Sequence, residues 1–129
     1  MGMTNATFPV FLRNKGDMDV KKFSSAAELS SYAEPIDVEN GEYEGWDNRG
    51  YPVALELNDK RSIIVKTQGD IPMLDQALNA LAAFAASEGV EFAAFPHPND
   101  LQMVYEKLAE DVGKARRNKP WWKRMLRRV

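Results

Sequence analysis

The chain has 129 residues, 44% of them hydrophobic and 28% charged, which fits one folded domain with one core and sets it apart from disordered sequences. It has no cysteine, which excludes disulfides, thiol nucleophiles and the commonest structural zinc sites and fits a reducing compartment. The formal charge of −2 is unevenly placed: before Lys114 nine basic residues face nineteen acidic ones, an acidic body at −10, and 114–129 then holds eight Lys and Arg with no acid.

Residues 14–17 have turn composition, and the flanking segments 8–13 and 19–23 predict a hairpin whose first strand Pro9 confines to an edge or starts late. Ser25 with Glu28 three residues on has the spacing of a capping box, predicting a short helix to Tyr32 that Pro35 keeps from continuing. Alternation through Glu42, Tyr43 and Glu44, resuming at Trp46, predicts a strand over 41–46 with Tyr43 on one face and Glu42 and Glu44 on the other. Turns at 47–50 and 58–60 lead into strands over 51–57 and 61–67, so these three strands are expected to form a meander.

Asp70 is placed to cap a long helix through Glu88, with Pro72 in its first turn and Gly89 as its left-handed stop. Ile71, Leu74, Leu78, Leu81 and Ala85 mark its buried face, widened by Ala77 and Phe84, and its alanines let a neighbour approach closely. A short strand over 90–95 is expected, ended by Pro96, His97 and Pro98. Asn99 then caps a last helix with the apolar stripe Leu101, Val104, Tyr105, Leu108 and Val112, weakened at Gly113. The fold expected is α+β: a single domain with an antiparallel sheet of about five to six strands and one short and two longer helices packed on it, followed by a basic amphipathic segment. The acidic domain spans 1–117 and the basic tail 118–129, with residues 118–120 as the hinge.

By helical period the tail sorts into Trp121, Trp122, Met125, Leu126 and Val129 on one face and Lys123, Arg124, Arg127 and Arg128 on the other. Indoles favour the headgroup zone of a bilayer and cations favour anionic lipid, so weak peripheral membrane attachment is physically sufficient. A groove on a partner protein suits the same residues, since Trp and Arg dominate interface energetics. Alternatively, the apolar face folds back onto the core while the basic face meets the acidic body. Nucleic acid is disfavoured, because the body at −10 repels a polyanion.

A second candidate is acidic. Glu34, Asp37, Glu39, Glu42, Glu44 and Asp47 cluster with Tyr43 and Trp46, so Glu39, Glu42, Tyr43, Glu44, Trp46 and Asp47 are a candidate face for a basic protein, as in immunity-type neutralising proteins. A solvated strand face and an acidic loop explain the same pattern. The run 37–42 has oxygen ligands and a glycine but not the spacing of a calcium loop, so no metal is expected.

Catalytic constellations are missing: the single His97 is flanked by prolines, and neither a phosphate-cradling glycine loop nor a nucleophile elbow occurs. No apolar run reaches the roughly 20 residues of a spanning helix, residues 1–7 lack the features of a secretory leader, and the myristoylation pattern begun at Gly2 fails at Ala6. The sequence points to a small non-enzymatic binding or regulatory protein without a cofactor, cytoplasmic or peripheral at the inner membrane face. Its Trp121, Trp122, Lys123, Arg124, Met125, Leu126, Arg127 and Arg128 are expected to engage a partner protein or an anionic membrane. The acidic neutralising protein is the second candidate and a motif-less small enzyme the third.

Overall fold

The structure, a computed structural model, describes residues 5–92 and 101–118. Its pivot is β1 (Val10–Asn14), whose consecutive apolar residues Val10, Phe11 and Leu12 oblige the strand to bury both faces. β2 (Lys21–Phe23) and β3 (Tyr43–Trp46) flank it antiparallel in the order β2-β1-β3, with Val10 opposite Phe23 and Phe11 opposite Trp46. The expected first hairpin is present, with β1 starting just after Pro9 and lying at the centre of this sheet rather than at its edge.

The single sheet of five to six strands is not formed. β4 (Val53–Leu57) and β5 (Ile63–Thr67) make a separate antiparallel pair, joined to β3 through one isolated bridge between Trp46 and Pro52. Pro52 has no N–H with which to continue a ladder, so the expected meander breaks at that point. The break lets the two small sheets serve different layers. Phe11, Val20 and Trp46 pack beneath the two long helices, whereas Val10, Leu12 and Phe23 on the opposite side meet Val53 and Val65 together with the short helices.

The helices are α1 (Ala26–Tyr32), α2 (Pro35–Glu39), α3 (Leu74–Ser87) and α4 (Leu101–Asn118). Ser25 caps α1 by accepting from the Glu28 N–H at 3.1 Å, and the Glu28 carboxylate reaches back to accept from the Ser24 N–H at 3.3 Å. Pro35 ends nothing more than the linker: it sits at the first position of α2, where its fixed φ and missing N–H cost least. The sequence pattern had no place for this helix.

α3 begins at Leu74, and Met73 rather than Asp70 is its N-cap, without a side-chain cap. The Met73 N–H is instead satisfied by the Gly50 carbonyl at 2.8 Å. Gly50 adopts φ +90, and a Cβ there would lie 2.6 Å from Leu74 Cδ2, so only glycine lets the loop and the helix start touch. The buried face of α3 is Ala77, Ala80, Leu81, Phe84 and Ala85, while Ile71 is 71% exposed and lies outside the helix. The three alanines share that face with Leu81 and Phe84, and Leu74 and Leu78 pack against the same core. Gly89 stops α3 at φ +69 as expected, with the Val90 N–H closing onto the Ala85 carbonyl at 2.9 Å.

Residues 90–92 carry no strand, and the rest of the segment expected there, with His97 and Asn99, lies outside the described residues. α4 buries Leu101, Val104, Leu108 and Val112 with Tyr105 half-buried, and it runs unbroken through Gly113. An N–H of its first turn is capped from a distance: Asn48 Oδ1 accepts from the Gln102 N–H at 3.0 Å.

Candidate functional site

The basic segment starts on α4, and the structure fixes its base. α3 ends on Glu88, whose side chain is fully buried at a helix C-terminus, where both burial and the helix dipole disfavour a carboxylate. Arg116 resolves both: its Nε and an Nη donate to the two carboxylate oxygens at 2.8 and 3.0 Å. The hydrogen bonds that it donates to Glu88 raise the Arg116 pKa above its ordinary value against the opposing effect of burial. The same guanidinium lies 3.7 Å from Asp19, in the loop between β1 and β2.

Three further contacts hold α4 to the first hairpin. The Tyr105 hydroxyl donates to the Val20 carbonyl at 2.8 Å while its ring meets Phe11 at 5.3 Å, and Lys22 pairs with Glu106 at 3.1 Å. Gln102 and Lys22, both hydrogen-bonded to Glu106, lower that carboxyl's pKa.

Of the basic residues that open the tail, Lys114 is paired with Glu110 at 3.1 Å and Arg116 with Glu88, whereas Arg117 meets no carboxylate among the described residues. Trp121, Trp122, Lys123, Arg124, Met125, Leu126, Arg127 and Arg128 lie outside the described residues. The last described turn of α4 is thus clamped two residues before Asn118.

The fold distributes the residues of the acidic candidate among several environments. Glu39 pairs with Arg61 from the β4–β5 turn, and Glu44 pairs with Arg13 across the β1–β3 ladder at 3.1 Å. Trp46 is not an exposed anchor: it is 5% exposed and belongs to the core beneath α3 and α4. Asp47 is fully buried, and its carboxylate accepts from the Thr7 N–H at 3.1 Å, the Arg49 N–H at 2.9 Å and the Tyr51 N–H at 3.0 Å. It builds the loop that supports the starts of α3 and α4. Tyr43 is half-buried, with its hydroxyl accepting from the Glu34 N–H at 3.3 Å, and of the six only Glu42 is both exposed and unpaired among the described residues.

An aromatic group forms that sequence spacing does not reveal. Tyr32, 41% exposed at the end of α1, stacks on Phe23 at 5.2 Å and faces Tyr43 at 6.4 Å, with Lys21 Nζ 5.8 Å from its ring. Burial, then Asp17, Asp19 and Asp37 in turn, raise the Tyr32 phenol's pKa. The Glu88 clamp also escaped the pattern, although a carboxylate directly before a helix-stopping glycine stands at the wrong pole of the helix and signals a cationic partner.

An open cleft of about 210 Å³ is lined by Lys15, Val38, Tyr43, Val53, Leu55 and Gln68, with Ala54 and Gly41 completing its wall. Its lining offers an ammonium, a phenol and an amide over an apolar floor, with no acid and base facing each other. Among the described residues no group of three or more His, Asp or Glu is arranged to hold a metal ion, and no helix is long and apolar enough to cross a membrane. Comparison with protein families, with curated proteins and with solved structures returns no match.

Proposed function

We propose that this is a non-enzymatic binding protein whose C-terminal segment, 118–129, attaches it reversibly to an anionic phospholipid surface. The observation that supports it most is the clamp at Arg116: a rigid, acidic α+β body ends in a fixed stem, and beyond it the sequence places five Lys and Arg and two Trp without one acid. Near an anionic bilayer each cation contributes roughly 1 kcal/mol, so the five together supply about 5 kcal/mol, and two indoles add affinity at the headgroup level. That total gives weak, salt-sensitive attachment in keeping with a segment too short to bury much apolar surface.

Vesicle sedimentation tests this directly. The full chain should sediment with vesicles of mixed phosphatidylglycerol and phosphatidylcholine, lose that behaviour at high salt, and ignore vesicles of phosphatidylcholine alone. A chain ending at Lys119 should remain folded and stay in the supernatant. If both chains sediment alike, the tail is not the anchor. If neither does, while the full chain alone binds a purified acidic protein, the partner is protein rather than lipid.

A further inference from the structure

Between the two small sheets lies a gap that neither closes. The Lys15 N–H donates to the Glu42 carbonyl at 2.8 Å, in step with the β1–β3 register, so the main-chain groups of Glu42 and Glu44 face β1 and those of Tyr43 face away from it. Across the gap the Gln68 N–H donates to the Pro52 carbonyl at 2.7 Å and the Asn58 N–H to the Ser62 carbonyl at 3.0 Å. That parity turns Ala54 and Glu56 toward β5 and leaves the N–H and C=O of Leu55 turned outward. Two strand edges thus confront each other across the open cleft of about 210 Å³, whose wall includes Tyr43, Val53 and Leu55. Among the described residues β3 and β4 pair only through the Trp46–Pro52 bridge, which closes one end, and no rung joins Tyr43 to Leu55. Lys15 and Gly41 stand at the other end. Lys15 is exposed, and no carboxylate, Glu42 across the ladder included, pairs with it among the described residues.

We infer that this cleft binds a small carboxylate bearing one peptide group, of the class of N-acylamino acids. A trans amide points its N–H to one side and its C=O to the other, so a single such group placed between the edges meets both Tyr43 and Leu55 and adds the missing rung. The carboxylate meets the Lys15 ammonium at the open end. An aliphatic side chain covers Val38 and Val53 on the apolar floor. The size agrees, because about 210 Å³ falls below the roughly 300–1,000 Å³ of sites for drug-sized ligands. One acylated residue fills it, and the bridge stops a longer strand from passing through.

Titration of the isotope-labelled full chain with N-acetylvaline, followed through its amide resonances, tests the site. Shifts should saturate in the millimolar range, as suits so small a ligand, and should centre on Tyr43, Val53 and Leu55. N-acetyl-N-methylvaline has no N–H to donate and isovalerate has no peptide group, so each should bind roughly fivefold more weakly or worse. Lys15→Met should weaken N-acetylvaline roughly fivefold, the worth of one exposed charge pair, while Lys60→Met, the same loss of charge in the β4–β5 turn, should change nothing. Should Lys15→Met fail to fold, N-acetylvalinamide, which lacks the negative charge, should show the same loss on the parent chain. Equal affinity for N-acetylvaline, its N-methyl form and isovalerate would overturn the added rung, and equal affinity for the amide would overturn the role of Lys15. Shifts that never saturate, or that centre elsewhere, would overturn the site itself. The C-terminal segment takes no part in this binding, so its outcome is independent of the vesicle experiments.

Discussion

Arg116 and Glu88 meet through two hydrogen bonds between the last turn of α4 and the C-terminus of α3, one partner 46% exposed and the other sealed from solvent. The asymmetry fixes what each substitution does. Arg116→Ala strands a buried carboxylate at the negative pole of a helix and should cost about 2 kcal/mol, at the low end for a buried pair because the guanidinium is half in water. Pairing Arg116→Met with Glu88→Leu should recover most of the loss. Urea denaturation of Arg116→Ala, Arg116→Met, Glu88→Leu and the double variant measures both, and additive losses in the double variant would refute the coupling.

Asp47→Ala should be among the most damaging single changes. It leaves the N–H groups of Thr7, Arg49 and Tyr51 without their acceptor in a loop on which both long helices start. A loss of about 3 kcal/mol or more is expected, and Asp47→Asn, which keeps one oxygen, should lose less. The denaturation midpoints of the two variants give the comparison.

Gly45 lies opposite Leu12 in the β1–β3 ladder, and a Cβ built there would stand 2.4 Å from the Phe11 carbonyl oxygen. Gly45→Ala should therefore push the strands apart and cost about 2 kcal/mol or more. Gly16→Ala, in open space within the first turn, should fall within about 0.5 kcal/mol of the parent. Thermal melts of the two proteins side by side decide it.

Tyr105 supplies a pH dependence. Burial above all, with Asp19 adding to it, raises its phenol above the ordinary 10.0, while the Lys22 backbone and Arg116 pull the other way. The folded state thus holds this proton more tightly than the unfolded one, so the stabilisation is whole below about pH 10 and decays as pH rises through the higher folded value. Tyr105→Phe should lose about 1 kcal/mol at neutral pH with the hydrogen bond to Val20, and should then weaken less than the parent between neutral pH and about pH 11. Equal slopes of urea midpoint against pH would show that Tyr105 is not responsible.

Local chemistry was legible in the sequence where neighbours in the chain decide the outcome. Ser25 and Glu28 cap α1, Gly89 stops α3, and the stripe from Leu101 to Val112 is the buried face of α4. Outcomes set by distant segments were not. Asp70 lost the cap of α3 because the Gly50 carbonyl reaches Met73, and Pro35 begins a helix because its geometry suits a first turn as well as it suits a break. The acidic run from Glu34 to Asp47 looks continuous only while Arg13 and Arg61, 31 residues from Glu44 and 22 from Glu39, are out of view. The split into two sheets follows from Pro52 and from an apolar triplet in β1 that only a doubly covered strand accommodates.

One strand belongs to both hydrophobic clusters. Phe11 looks toward the long helices, while Val10 and Leu12 look toward the short ones and the β4–β5 pair, so neither half of the molecule owns a seam along which it can come loose on its own. Thinning either side, by Phe11→Leu or by Leu12→Ala, should depress a single shared melting transition rather than split it in two. The amides at the middle of β1 should be the last to exchange with heavy water, opening only when the entire protein does.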